Sequence, residues 1–192
     1  MNLFSLFLEG GFIMYPLLVG FLISIVVVVD KLVTLKKFNR EVQRIEASFQ
    51  NKNLQQELGQ FNKVVIAPYV TLFGEKNPTG ELVFLSVDKT QKELRSKLWL
   101  LGSVTSSAPF IGLFGTVVGI IKSFGSIGKA GKAGFAIVAA DLSEALIATA
   151  AGIIVAVIAL LFYNFLAHKI KDALFDYKHN LSHHLNKFNK DG

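Results

Sequence analysis

Four polar side chains interrupt stretches that are otherwise typical of a membrane, and these four are the best candidates for chemistry. Glu144 and Thr149 lie in a run of small and apolar residues, Asp141 lies just before it, and Thr116 lies in an earlier run. A carboxylate inside a membrane span is costly and usually functional, so Glu144 is the leading candidate. Asp141 fits an ordinary acid at a helix N-terminus, where the helix dipole stabilises negative charge.

The two threonines have a structural and a functional interpretation. A threonine inside a span often only donates a hydrogen bond to the carbonyl one turn earlier. On an ideal helix Glu144 and Thr149 lie about 140° apart, so they cannot share a narrow stripe. One arrangement places Thr149 and Thr116 around an inner pore, with Glu144 at its shoulder or facing a neighbouring subunit. Asp141 would then be a secondary acid at the pore mouth.

Composition narrows the class of protein. The chain has 192 residues, of which 52% are hydrophobic and 18% charged, which excludes a disordered chain and disfavours an ordinary soluble domain. Cysteine is absent, which excludes a disulfide framework. The net charge is +6, but the basic residues flank apolar runs, which favours lipid headgroups over nucleic acid as their partners.

No motif in the chain favours catalysis or a bound cofactor. The residues typical of nucleophilic catalysis are not arranged in a local motif. His179 and His183 are spaced by four residues and His184 follows, but their polar surroundings favour a solvated helix face over a metal site. We therefore predict no enzyme, no metal site and no cofactor.

Three uncharged runs are long enough to cross a bilayer, since about 20 helical residues span its ~30 Å hydrocarbon core. The chain is predicted to be an all-α integral membrane protein with long cytoplasmic helical extensions. The predicted order is a first span (10–30), a cytoplasmic helical region (31–97), a second span (98–122), a periplasmic Gly-rich link with the start of the third span (123–140), the third span (141–167) and a cytoplasmic helix (168–192). In the last segment, apolar residues recur every three or four positions from Ile170 to Phe188, which predicts an amphipathic helix or a coiled coil.

The distribution of positive charge predicts the topology. Five basic residues lie between positions 31 and 44, directly after the first span, and only Lys122, Lys129 and Lys132 of the 20 basic residues lie on the other predicted side. By the positive-inside rule the N-terminus is periplasmic and the C-terminus cytoplasmic. No basic region precedes the first apolar run, so we expect no removable signal peptide.

Small residues predict close packing of the second and third spans. Glycine and alanine let helix backbones approach, and Gly115 with Gly119 forms a GxxxG pair. The residues expected at such contacts are Gly112, Gly115, Gly119, Ala145, Ala148 and Gly152.

Two sequence blocks on these spans resemble the ExbB/TolQ family, a group distantly related to MotA, and they are most similar to ExbB. The blocks are APFIGLFGTVVGI at 108–120 and SEALIATAAG at 143–152. The pore threonines of the family match Thr116 and Thr149, and its acid on the third span matches Glu144. The chain has Ala140-Asp141 where the family often has Pro-Gly.

The resemblance implies a function that the residues alone do not specify. Members form a pentamer in the inner membrane of Gram-negative bacteria around a dimer of ExbD/TolR-like proteins, each with one span. Ion flow down the proton motive force drives motion that energises TonB or TolA. The resemblance also implies that the ion-carrying aspartate belongs to the partner.

Several alternatives remain open. The chain could be a TolQ-like subunit of the Tol-Pal system, a stand-alone ion channel or a passive membrane scaffold. The residues do not choose between a proton and a sodium ion, since hydroxyl-lined paths suit either.

Overall fold

The computed structural model describes residues 7–50, 61–74, 80–130 and 135–191, and the regular structure in these ranges is helical. We number five helices in chain order: α1 (Met14–Gln50), α2 (Lys63–Gly74), α3 (Gly80–Arg95), α4 (Leu98–Ala130) and α5 (Phe135–Asp191). The described part of the chain therefore has the predicted all-α architecture.

Three stretches of helix are long and apolar enough to cross a membrane. They lie within Met14–Phe49, Val87–Gly128 and Val138–Lys187, and their most apolar windows have mean hydropathies of 2.4, 1.8 and 2.8. Most large apolar side chains in these windows are exposed, as expected for helices that face lipid, because lipid tails favour apolar surface. The number and order of the spans agree with the sequence prediction.

Helix α4 continues beyond the end of the predicted second span. The sequence analysis assigned residues 123–140 to a Gly-rich link with the start of the third span. In the structure α4 runs through Ala130, and residues 131–134 lie outside the described residues. Contacts with α5 support this extension: Lys122 pairs with acids on α5, and Ser126 Oγ donates to Asp141 Oδ2 at 3.3 Å. Tertiary contacts of this kind commonly override the weak helix propensity of glycine.

The chain divides into two compact units. The first, which we call the span unit, contains residues Met1–Val28 and Lys97–Asn164. Its core joins the beginning of α1 with α4 and α5. The buried residues of this core are Ile13, Leu17, Ala108, Ala148 and Ala156.

The second unit contains residues Val29–Ser96 and Phe165–Gly192. The predicted stripe of α5 is buried in the core of this unit as far as Leu185, and the side chain of Phe188 lies outside the described residues. The buried members are Ile170, Leu174, Tyr177, Leu181 and Leu185. The hydroxyl of Tyr177 donates to the carbonyl of Val65, which ties α5 to α2. The amphipathic character predicted for this segment is confirmed.

His184 corrects one prediction in this unit. His179 and His183 are exposed as expected, but only 5% of His184 is exposed. The ring of His184 stacks on Phe49, and its Nδ1 lies 3.2 Å from the hydroxyl of Tyr69. Burial, then the neighbouring charges of His183 and Lys187, lower the pKa of His184 to about 4. His184 follows Leu181 by three positions, so it falls on the buried stripe rather than on the solvated face.

Candidate ion pathway

The α4–α5 interface is built from residues that have almost no side chain. A Cβ atom added at Gly112 would lie 3.0 Å from Thr149 Cα, and one added at Gly152 would lie 2.6 Å from Ala108 O. The two backbones are therefore in direct contact, as small residues permit. The glycines and alanines predicted to pack here meet in pairs: Gly112 with Gly152, Gly115 with Ala148, and Gly119 with Ala145.

Thr149 reaches across this interface. Its Oγ1 donates to Gly112 O on α4 at 2.8 Å and lies 3.3 Å from Ala145 O on its own helix. The side chain is half-buried, and the cross-helix bond is available because Gly112 has no side chain in the way. The hydroxyl oxygen keeps lone pairs that can accept a hydrogen bond from water or from a hydrated ion.

Thr116 lies one turn beyond Gly112 on α4. Its Oγ1 donates to Leu113 O within its own helix at 2.6 Å, and the side chain is half-buried. The structure therefore brings Thr149 to the turn of α4 that precedes Thr116. Both hydroxyls are held in fixed directions by backbone carbonyls, and both retain accepting capacity.

Thr105 belongs to the same face of α4, although it is not among the residues predicted from the sequence. Its Oγ1 is buried and has no hydrogen-bond partner among the described residues. Thr105, Pro109, Gly112 and Thr116 are separated by steps of four, three and four, which place them on one helix face. Pro109 has no N–H, so the carbonyl of Thr105 loses its usual helical donor. A threonine four residues before a proline is the signal that identifies this position.

A charged cluster lies at the end of the same two helices, on a different face. Lys122 Nζ lies 2.9 Å from Glu144 Oε2 and 3.3 Å from Asp141 Oδ1. Ser126 Oγ donates to Asp141 Oδ2 at 3.3 Å. We call these four residues the Lys122 cluster. Asp141 is its most buried acid, with 14% of its side chain exposed against 38% for Glu144.

The beginning of the chain closes this cluster on a third side. Gly11 has a φ of +67°, and any side chain at this position would overlap the carboxylate of Glu144. Only glycine combines that backbone conformation with so close an approach. The turn before α1 therefore meets α4 and α5 at Glu144.

These contacts determine which way Glu144 points. Glu144, Ala148, Ala151 and Val155 follow one another by four, three and four residues, so they share one face of α5. Ala148 is buried in the three-helix core, and Ala151 and Val155 pack against that core. The sequence left open whether Glu144 faces a pore or a neighbouring subunit; within this chain it contacts its own α4 and the turn before α1. Thr149 lies on the other side of the α4–α5 interface.

No cofactor or metal chemistry emerges from the described residues. Among them, no group of three or more His, Cys, Asp and Glu side chains is arranged to hold a metal ion. Neutral hydroxyls lie on one side of the α4–α5 interface, and the ion-paired Lys122 cluster lies on the other. This arrangement suits passage of a small cation better than covalent chemistry.

Comparison with known proteins identifies the family. A sequence profile described as the MotA/TolQ/ExbB proton channel family matches residues 76–178, which include all of α4 and most of α5. The chain belongs to this family. The prediction from the two sequence blocks is confirmed.

Relatives within the ExbB/TolQ group are identical to this chain at about two fifths of the aligned positions. The biopolymer transport protein ExbB of Aquifex aeolicus is 40% identical over 95 residues, which cover 50% of this chain and 64% of that protein. An ExbB-like biopolymer transport protein of Helicobacter pylori is 40% identical over 97 residues, covering 50% of this chain and 51% of the relative. The Tol-Pal system protein TolQ of Pseudomonas aeruginosa is 40% identical over 80 residues, which cover 42% of this chain and 35% of that protein.

The aligned part of the chain spans between about a third and two thirds of these relatives. Three apolar helices and membership of the ExbB/TolQ family support a multi-pass inner-membrane protein. The relatives bear both ExbB and TolQ names, so membership alone does not distinguish the two envelope systems.

Proposed function

We propose that this protein is a proton-channel subunit that converts the proton motive force into mechanical work. It acts with an ExbD/TolR-like single-span partner and energises TonB-dependent transport across the outer membrane. Thr149 and Thr116 line the ion path, and the titrating carboxylate comes from the partner. The chain itself performs no enzymatic reaction and needs no cofactor.

The observation that carries this proposal is the hydroxyl face along the α4–α5 interface. Thr149 bonds to Gly112 O, Thr116 lies one turn further on, and Thr105 extends the same face in the other direction. In the described part of the chain the Thr105 hydroxyl has no hydrogen-bond partner, and Pro109 supplies no N–H to the Thr105 carbonyl. Buried polar groups of this kind are commonly bridged by water, which can extend a proton path.

Neutral hydroxyls suit a path through which an ion must leave as well as enter. They accept and donate hydrogen bonds without the full charge that would trap a cation. A carboxylate on a partner helix can take up and release a proton when such groups and water surround it. The small residues of α4 and α5 leave room for the helices to approach one another closely.

The subunits assemble as a ring, which we propose to be a pentamer around a dimer of the partner. Ring closure uses heterologous interfaces, in which two different faces of each subunit meet. We propose a periplasmic N-terminus and a cytoplasmic C-terminus, because the basic residues that follow the first span favour this orientation.

A second candidate is a TolQ-like role in the Tol-Pal system, which acts through TolR-like and TolA-like partners. The TolQ relative of Pseudomonas aeruginosa favours it, since its identity of 40% equals that of the first two ExbB relatives. The two roles differ in their partners. Functional rescue of a strain lacking ExbB, but not of one lacking TolQ, supports the TonB-linked role, and the reverse result supports the Tol-linked role.

The test of the ion path is proton uptake into inverted membrane vesicles that contain the chain and a co-expressed ExbD/TolR-like protein. Thr149→Val keeps the shape of the side chain but removes the hydroxyl. We expect it to reduce uptake by about tenfold or more, because 1.36 kcal/mol of lost stabilisation along the path changes a rate tenfold. Thr149→Ser keeps the hydroxyl and should retain uptake.

Thr34→Val is the matched control, because the Thr34 hydroxyl donates to Asp30 O in its own helix and lies outside the proposed path. Equal uptake by wild type and Thr149→Val would refute the path and leave the scaffold interpretation. Uptake without the partner would instead identify a stand-alone channel.

A further inference from the structure

Two features of the sequence have no part in the hydroxyl path. Lys122 is one of only three basic residues on the predicted outer side, where the positive-inside rule disfavours them. Asp141 is a second charged residue, just before the uncharged run of the third span. The structure brings Lys122 and Asp141 into one cluster, 3.3 Å apart, and adds Glu144 to it.

Lys122 provides the positive charge between two carboxylates. Asp141 and Glu144 are three residues apart on α5, a spacing at which like charges face each other and repel. Lys122 contacts both, at 3.3 Å and 2.9 Å, and Ser126 donates to the remaining oxygen of Asp141. Lys122 and Ser126 are themselves one turn apart on α4, so two neighbouring turns of α4 bind two neighbouring acids of α5.

The pairing also fixes the direction of Glu144. Its carboxylate lies against Gly11, on the face of α5 that packs in the three-helix core. Thr149 lies about 140° away on an ideal helix and bonds to Gly112 at the α4–α5 interface. Glu144 and the hydroxyl path therefore occupy different faces of the same helix.

We propose that Lys122 is a positioning residue that holds Glu144 and Asp141, so that the turn before α1, α4 and α5 keep one mutual alignment. Glu144 then serves the protein through its pairing with Lys122, and it does not bind the ion that crosses the membrane. The inference rests on the proposed function for its activity readout, but its structural readout is independent of that function.

Exchange of the two charges separates the positioning role from an ion-binding role. Lys122→Met and Glu144→Gln should each lower proton uptake by about tenfold, the effect of a coupling of ordinary size between contacting residues. Lys122→Glu combined with Glu144→Lys keeps one cation and two carboxylates at the same place. This exchange should recover most of the proton uptake. If Glu144 bound the ion, Glu144→Lys would abolish uptake even with the paired change at Lys122. Lys122→Arg should remain active, because the positive charge and the pairing are kept.

Thermal unfolding in detergent provides the readout that needs no partner. A double-mutant cycle compares wild type with Lys122→Met, with Glu144→Gln and with the variant that carries both of these changes. The variant with both changes should be no less stable than the less stable of the two single variants. Each single variant should lower the Tm by about 3 °C or more. Lys171→Met removes an exposed positive charge elsewhere and should leave the Tm within about 1 °C of wild type.

The outcomes are distinct. Additive losses of Tm in the cycle overturn the positioning role, even if the charge exchange fails to fold. A folded charge exchange without uptake also overturns it, provided that wild type and Lys122→Arg are active. Full uptake by Thr149→Val would refute the proposed function while leaving the result of the thermal cycle as it stands.

Discussion

Adding one methyl group at Gly152 gives a sharp test of the α4–α5 interface. A Cβ atom at this position would lie 2.6 Å from Ala108 O, about 0.8 Å short of the 3.4 Å at which ordinary contact begins. It would also lie 3.1 Å from Gly112 Cα and 3.3 Å from Gly112 N. All three are backbone atoms, which cannot rotate away as a side chain can, so the helices must separate.

Gly128→Ala is the matched control. Gly128 lies in α4 and a Cβ there would meet nothing within 4 Å, so this variant gains only the helix propensity of alanine, about 1 kcal/mol. Gly152→Ala gains the same propensity but adds an overpacking cost of about 1–3 kcal/mol. At about 2–4 °C per kcal/mol for a chain of this size, the Tm of Gly152→Ala should lie about 2–12 °C below that of Gly128→Ala.

The assay is the fraction of each purified variant that stays monodisperse on gel filtration after heating in detergent. The same substitution should also lower proton uptake, because helix separation lengthens the 2.8 Å bond from Thr149 to Gly112 O. A Gly152→Ala variant as stable as Gly128→Ala would refute the direct backbone contact. A stable variant with normal uptake would also refute the importance of that contact for the path.

Three further predictions concern other parts of the chain. Tyr177→Phe should lower the stability of the protein by about 0.5–1.5 kcal/mol, measured as Tm, because it removes the hydrogen bond from the buried Tyr177 hydroxyl to Val65 O. His184 has a pKa of about 4 against 6.5 when unfolded, so its contribution is complete above pH 6.5 and is lost as the pH falls toward 4. When the pH falls from 7 to 4.5, the free energy of unfolding of wild type should therefore drop by about 2 kcal/mol more than that of His184→Phe. An equal change of Tm with pH in the two proteins would contradict this prediction. Thr105→Val should lower proton uptake severalfold at unchanged Tm, whereas Thr105→Ser should not; an active, stable Thr105→Val would remove Thr105 from the path.

The spans and the close interface were predictable because each leaves a local pattern. An uncharged run of 20 or more residues has few structural alternatives, and Gly112 and Gly152 indicate close approach by their lack of side chains. The buried stripe from Ile170 to Leu185 follows directly from its spacing. In each case the pattern within one helix determines the contact.

The Lys122 cluster was not predictable, because it depends on how two helices are aligned. Lys122 and Glu144 are 22 residues apart, and their meeting requires the register of α4 against α5. The continuation of α4 through Ala130 depends in the same way on contacts between helices, which the glycine content of residues 123–130 does not reveal. His184 was misassigned because its polar neighbours masked its place on the apolar stripe.

The most direct test of the central claim compares Thr149→Val with Thr149→Ser in proton uptake by inverted vesicles containing the ExbD/TolR-like partner. If the α4–α5 hydroxyls line the path, the valine variant loses about tenfold or more of the uptake at unchanged assembly, and the serine variant retains it. Uptake by the valine variant equal to wild type, in vesicles where the partner is present and bound, would contradict the account.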